Sequence, residues 1–438
     1  MLIGGYIDPV DIYTTFPATA SGNAHSETEG SNFVAEFNPS GEVVWATLFS
    51  SSGEENRIFD MAADGSEFYV TGSVSGNAPG VFEIKNSGGV TIQSSYGGGS
   101  SDAFAAKFTD ERELYWSTYL GGTGYDAGIS VEADGLGQVY VVGNIQSGNG
   151  SFPVLAPVGG SSIFDNTLNG NQDLFVAKFS SVGEMEWNTF FGGDGEETQF
   201  DEGYSVTGLR IGGESIDVDV CGNLYVTGRT NSEDLGVQNV SGFPFYYAAI
   251  NQSDNNTSAD AFILVVDGSL EQKYLSYWGG GRFETPLGFR LLGEDYVIFG
   301  GESSSASNDG PTIPLGTISV NSYFQGDVNN NTDAFISQVP LPEFISCTVN
   351  THERPDFQQD LLVYPNPTAG KIFIRTSPPN QRLRFSLYDG LGRRLLARSI
   401  SRTVDGLLAI DLNRYAAGVY FLRFEGPGLS REFKILKH

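Results

Sequence analysis

Few residues in this 438-residue chain have the type and spacing to do chemistry, and most of those that do are carboxylates. Its three histidines, His25, His352 and His438, are scattered along the chain, so a Ser-His-Asp system or a histidine-rich metal site lacks its parts. Cys221 and Cys347 form no CxxC pair; their spacing leaves a disulfide open without requiring one. Cys221 reads as a small buried residue rather than a nucleophile. Acidic pairs such as Glu54-Glu55 and Glu196-Glu197 could serve a glycosidase, which needs two carboxylates, but they fall in connecting loops where acids are common. One recurrence is more specific. The segments DNTLNGNQD (165–173), NQSDNNTSAD (251–260) and GDVNNNTD (326–333) end in Asp173, Asp260 and Asp333, and Asp102 takes the same place in an earlier copy. Closely spaced hard oxygen donors suit calcium, although Asn, Asp and Gly are also the residues that tight turns require. The expectation is no catalytic set and no cofactor, with calcium at Asp173, Asp260 and Asp333 as the one candidate.

The elements that carry these aspartates recur. NFVAEF (32–37), DAFAAKF (102–108), DLFVAKF (173–179), DAFILVV (260–266) and DAFISQV (333–339) share Phe33, Phe104, Phe175, Phe262 and Phe335, spaced 71, 71, 87 and 73. A second signature places Trp45, Trp116 and Trp187 71 apart, with Tyr274 in the fourth copy. The third is a strand ending at Gly72, Gly143, Gly228 and Gly300, as in CGNLYVTG. GISVEADG (128–135) and SIDVDVCG (215–222) add a strand before it. Aromatic and β-branched residues dominate throughout, which is strand chemistry. One repeat therefore reads as four strands, and the expected fold is all-β: a propeller of four-stranded blades, about five of them detectable and the first incomplete. The segments Phe59–Asp64 and Pro286–Glu294 match the repeat poorly. The diglycines Gly121-Gly122, Gly192-Gly193 and Gly279-Gly280 end strands and are expected to turn the chain with positive φ. Leu2–Gly5 already reads as the second strand of a blade, and MLIGGYIDPVDIYTTFP lacks the pattern of a signal peptide. Further coding sequence upstream of Met1 is the expectation.

Composition agrees with many short strands: 57 glycines, 13% aromatic and only 18% charged residues, against about 25% charged in an average domain. The net charge of −29 is unevenly placed. From residue 352 onward there are 14 Lys and Arg against 8 Asp and Glu, a balance of +6, which leaves −35 on the first 351 residues. A change of sign within one chain marks a domain boundary, and so acidic a surface repels phosphate backbones, which excludes nucleic acid as a partner. No apolar run approaches the ~20 residues that span a bilayer.

The repeat resembles the seven-bladed β-propeller repeat of bacterial surface proteins. The matching residues are WSTYLGGTGYD (116–126), CGNLYVTG (221–228) and the FP dipeptides at 16–17, 152–153 and 243–244. The resemblance covers residues 1–349, followed by a repeat-free linker at 350–360.

The final 78 residues, 361–438, show seven short strand patterns, near 361–364, 371–376, 383–388, 394–400, 407–411, 418–424 and 431–436. That is the content of a small immunoglobulin-like β-sandwich. YPNPTAG (364–370), LYDGLGRRLL (387–396), LNRYAAGVYFLRFEGPG (412–428) and a basic KILKH end (434–438) resemble the type A C-terminal sorting domain of the type IX secretion system. The resemblance implies passage through the periplasm, delivery by the type IX machinery, and secretion or attachment at the cell surface. It assigns the sorting signal to Pro365, Asn366, Pro367, Gly370, Gly392, Gly418, Tyr420, Lys434 and Lys437, with the last two exposed for recognition. For the repeat region the expected role is a non-enzymatic binding or adhesion module with a glycan or protein ligand. A structural surface-layer component and a polysaccharide-acting enzyme are the alternatives.

Overall fold

The computed structural model describes residues 2–6, 32–49, 56–75, 84–86, 93–135, 137–148, 150–199, 215–219, 222–237, 259–279, 282–292, 296–304 and 333–340, and, further on, 361–364, 371–376, 383–389, 393–400, 407–412, 415–426 and 429–437. The chain divides into two compact units, one of residues 1–63, 67–132 and 139–346, the other mainly residues 347–438. Every named element is a β-strand. Among the described residues no helix is long and apolar enough to cross a membrane.

Strands of the first unit form five antiparallel sheets in chain order. Sheet 1 holds β1 (Leu2–Tyr6), β2 (Asn32–Phe37) and β3 (Val43–Phe49). Sheet 2 holds β4 (Arg57–Asp64), β5 (Glu67–Val74), β6 (Asp102–Phe108) and β7 (Leu114–Leu120). Sheet 3 holds β8 (Asp126–Ala133), β9 (Gln138–Ile145), β10 (Asp173–Ser180) and β11 (Met185–Phe191). In sheet 4 the first strand is split into β12 (Glu197–Thr198) and β13 (Ile216–Val218), both paired with β14 (Leu224–Thr230), which leads to β15 (Asp260–Val266) and β16 (Gln272–Trp278). Sheet 5 holds β17 (Glu284–Leu292), β18 (Tyr296–Ser303) and β19 (Asp333–Pro340). Each sheet is a meander of sequential strands. β1 pairs with β2 as β5 pairs with β6, so it stands in the second-strand place.

The repeat signature is a packing signature. Trp45, Trp116, Trp187 and Tyr274 lie directly opposite Glu36, Lys107, Lys178 and Val265 on the neighbouring strand. Each hairpin then turns through a positive-φ residue: Gly41 (83°), Arg112 (67°), Gly183 (81°) and Leu270 (65°). The strain at Arg112 and Leu270 is offset by side-chain caps: Thr109 Oγ1 accepts from the amides of Glu111 and Glu113, and Asp267 Oδ1 from those of Ser269 and Glu271. From sheets 2 and 3 a lysine and a tryptophan reach the next sheet's hairpin together. Lys107 Nζ and Trp116 Nε1 both donate to the Ser181 carbonyl, each at 3.2 Å. Lys178 Nζ and Trp187 Nε1 donate to the Gly268 carbonyl at 3.1 and 3.2 Å. Both lysines are buried, and carboxylates make that tolerable: Glu67 at 3.0 Å from Lys107 and Glu186 at 3.1 Å from Lys178. Sheet 1 achieves the same link with the charges exchanged, Arg112 Nη2 lying 2.6 Å from Glu36.

Apolar residues fill the spaces between consecutive sheets. Trp45 of sheet 1 packs with Phe68 and Phe108 of sheet 2, and Trp116 of sheet 2 stacks on Phe179 of sheet 3 with centroids 5.6 Å apart. Tyr140, Val142 and Trp187 of sheet 3 share a core with Leu224, Phe262 and Leu264 of sheet 4. Between sheets 4 and 5, Trp278 contacts Phe299 and Phe335 at 4.9 and 4.5 Å.

The second unit contains two antiparallel sheets. One is β20 (Leu361–Tyr364), β21 (Lys371–Thr376) and β24 (Leu407–Asp411); the other runs β23 (Arg394–Ile400), β22 (Leu383–Asp389), β25 (Gly418–Gly426) and β26 (Leu429–Lys437). Ile372 and Ile410 of the first sheet share one core with Phe385, Leu387, Leu422, Phe424 and Ile435 of the second. Seven strands in two sheets around one core make a small sandwich.

Candidate functional site

The aspartates singled out for calcium lie one to a sheet. Asp173 opens β10, Asp260 opens β15 and Asp333 opens β19, as Asp102 opens β6. Asp173 is fully buried, and its two oxygens accept from the backbone amides of Gly170 and Asn169 at 3.3 and 3.1 Å. Among the described residues no group of three or more His, Cys, Asp or Glu is placed to hold a metal ion. Cys221, Cys347 and the three histidines lie outside the described residues.

Asp102 and Asp173 have beside them a second buried carboxylate from the first strand of the next sheet, Asp126 and Glu197 respectively, with a diglycine between the two. A Cβ on Gly121 would lie 2.4 Å from Asp102 Oδ1; on Gly192, 2.5 Å from Glu197 Oε2 and 2.6 Å from Asp173 Oδ1; on Gly279, 2.5 Å from Asp260 Oδ1. None of these three glycines has positive φ. The expectation of a left-handed turn is therefore corrected: glycine is needed there because the carboxylates leave no room for a side chain. Asp126 accepts from the Gly122 amide at 2.7 Å, and Glu197 from the Gly193 amide at 2.9 Å and from Thr230 Oγ1 at 2.6 Å. Burial pushes Asp102 and Glu197 up to about 7 and Asp126 and Asp173 up to about 6. These hydrogen bonds tie each strand end to the next sheet, which is a structural role.

A different cluster brings side chains from several sheets to one place. Asp60 of β4 accepts from the Val131 amide of β8 at 2.9 Å, and Asp217 of β13 accepts from the Leu291 amide of β17, also at 2.9 Å. Arg290 of β17 then reaches back past the adjacent sheet, with Nη1 3.4 Å from Glu132 of β8 and 3.5 Å from Asp217. Glu132 is pushed up to about 7, first by burial and then by the charges of Asp217 and Asp60, while Arg290 pulls it down. Three carboxylates and one half-exposed guanidinium thus meet on first strands of four consecutive sheets. Such a site offers acceptors to hydroxyl, amide or cationic groups and one donor to an anion or hydroxyl. Composition and motif reading missed it, because the four residues share no type. The available signal is their spacing of 72, 85 and 73, close to the repeat.

In the second unit, Pro365, Asn366, Pro367, Gly370 and Gly392 lie outside the described residues. Gly418 opens β25 opposite Lys437. Tyr420 is buried, its hydroxyl donating to the Ala416 carbonyl at 2.6 Å. Lys434 is exposed, whereas Lys437 is half-buried and donates to the Tyr415 carbonyl at 2.8 Å. The expected exposure thus holds for Lys434 alone; Lys437 closes the sheet's edge.

Residues 362–437 match a family described as the secretion system C-terminal sorting domain. This domain marks proteins secreted through the type IX system to the cell surface or extracellular space, so the chain is an exported one handled by that machinery. No curated protein matches the sequence. Among solved structures, a DUF3244-family protein with an immunoglobulin-like β-sandwich fold from Bacteroides vulgatus ATCC 8482 is 16% identical, covering 20% of this chain and 92% of its own, with a TM-score of 0.18.

Proposed function

We propose that the first unit of this exported chain is a β-propeller that binds a glycan or protein at the cell surface, with the cluster of Asp60, Glu132, Asp217 and Arg290 at its binding end. The observation that carries this reading is the contact of Arg290 with Glu132, two sheets away. Face-packed parallel layers lie about 10 Å apart, so a side-chain contact across two layers is expected only where the first strands converge. The repeated Lys-Trp link supports the same reading, because an identical link at successive junctions imposes a similar step each time. A propeller so built presents its first strands around an axis and its connecting loops at the two ends.

A glycan and surface-protein array probed with the chain, with and without calcium, tests the role. Saturable binding that E132Q and R290Q weaken supports it, and saturable binding indifferent to both would move the site elsewhere. Absence of any saturable ligand would favour the structural surface-layer role. A carboxyl pushed up to about 7 among other acids also suits a general acid, so turnover of a bound polysaccharide would indicate an enzyme instead.

A further inference from the structure

Across the four-stranded sheet of the sorting domain, register places Arg394, Tyr388, Phe421 and Lys434 in a single row: Tyr388 is opposite Arg394 on one side and Phe421 on the other, and Phe421 is opposite Lys434. This row is on the outer face. Its neighbours along the strands, Leu387, Leu422 and Ile435, point the other way and are fully buried in the core, as the two-residue alternation of strands requires. Arg394 and Lys434 are exposed at the row's ends, and Tyr388 and Phe421 are half-buried between them. Arg423, two residues beyond Phe421 and exposed, holds its guanidinium 5.6 Å from the Tyr388 ring centroid. Aromatic rings with guanidinium and ammonium groups around them are the composition of a protein-docking patch, where rings supply contact area and cations supply orientation.

We propose that this strip, Arg394–Tyr388–Phe421–Lys434 with Arg423, is the face by which the sorting domain docks onto an acidic protein surface of the export machinery. Charge decides the partner's sign. The stretch from residue 352, linker and domain together, carries +6 and the preceding part −35, so an acidic receptor attracts the tag and repels the cargo it must not grip. Such complementarity sets the approach and excludes wrong contacts more than it adds affinity. The proposal rests on the sorting-domain match and not on the propeller reading.

The test uses the full chain behind a signal peptide in a host with the type IX system. R394E/R423E/K434E and the neutral R394Q/R423Q/K434Q are compared with charge reversal at the exposed Lys85 and Arg282 of the first unit. All three sorting-domain sites are exposed, and a folded domain is checked by resistance to protease in periplasmic extracts. The expected result is surface-located protein reduced roughly tenfold or more for the reversal, with folded protein held in the periplasm. The glutamine variant should be intermediate and the first-unit control unaffected. Normal delivery of the reversed chain would overturn the proposal. Delivery followed by release into the medium would also overturn it, pointing to anionic lipid headgroups as the ligand of this face. An equal defect in the first-unit control would reduce the effect to net charge and would likewise contradict it.

Discussion

The first strands of the repeat sheets and the third and fourth are built on different terms. In sheets 1 to 4 the third and fourth strands repeat closely: a buried asparagine or aspartate at the start, a lysine or its substitute opposite a tryptophan or tyrosine, a positive-φ hairpin residue between them. First strands do not repeat in this way. β4 and β17 match the consensus poorly, β12 and β13 are two pieces of one strand, and their charged residues differ from sheet to sheet. Repetition here records packing, since each copy must meet the next in the same way. Individuality collects where Glu132 and Arg290 meet, beside Asp60 and Asp217, which each also hold a backbone amide of the next sheet.

That contrast predicts large stability effects on the third and fourth strands and small ones at the exposed end of the first strands. Trp187→Ala removes a buried ring and its bond to the Gly268 carbonyl, and should cost ~3–5 kcal/mol in denaturant unfolding. A loss below about 1 kcal/mol would mean the link between sheets 3 and 4 is not structural. Gly192→Ala, at the end of a fourth strand, drives a Cβ to within 2.5 Å of Glu197 and should cost about 1–3 kcal/mol. The matching change on a first strand, Gly288→Ala, meets nothing within 4 Å and should stay within about 0.5 kcal/mol.

Next comes pH. Asp102, Asp126, Asp173 and Glu197 are held above the ordinary carboxylate range in the folded chain, so folding favours their protonated forms. Their stabilising contribution is complete below the unfolded value near 4 and is lost as pH rises through about 6 to 7. The melting temperature should therefore fall between pH 5 and pH 8, and a rise over that interval would contradict the burial of these pairs. The stability effect of Arg290→Gln should also be small, below about 1 kcal/mol for so exposed an ion pair. Its consequence should appear in ligand binding instead.

How much of this was legible depends on what each residue answers to. The spacing of Phe104, Trp116 and Trp187 reveals the third and fourth strands because ring packing between sheets tolerates little change. The seven strands of the sorting domain were readable for a similar reason, since Leu387, Leu422 and Ile435 alternate with outward residues over a two-sheet core. The diglycines were visible but misread: sequence shows that glycine is required and cannot show whether a left-handed turn or a neighbouring carboxylate requires it. Lys437 reads as an exposed charge in the sequence because its partner, the Tyr415 carbonyl, is a backbone atom without sequence identity. The first-strand cluster was hidden because Asp60, Glu132, Asp217 and Arg290 are linked by position and not by type.

Convergence of the first strands can be measured directly. Spin labels at positions 132 and 290 report the first-strand separation of sheets 3 and 5, and labels at 186 and 336, on β11 and β19, report their separation further out. Parallel stacking of the sheets would make the two distances alike, at about 20 Å for two layers. In a propeller, whose sheets fan out from an axis, the 132–290 distance should be clearly the shorter. Equal distances in the two pairs would contradict the propeller.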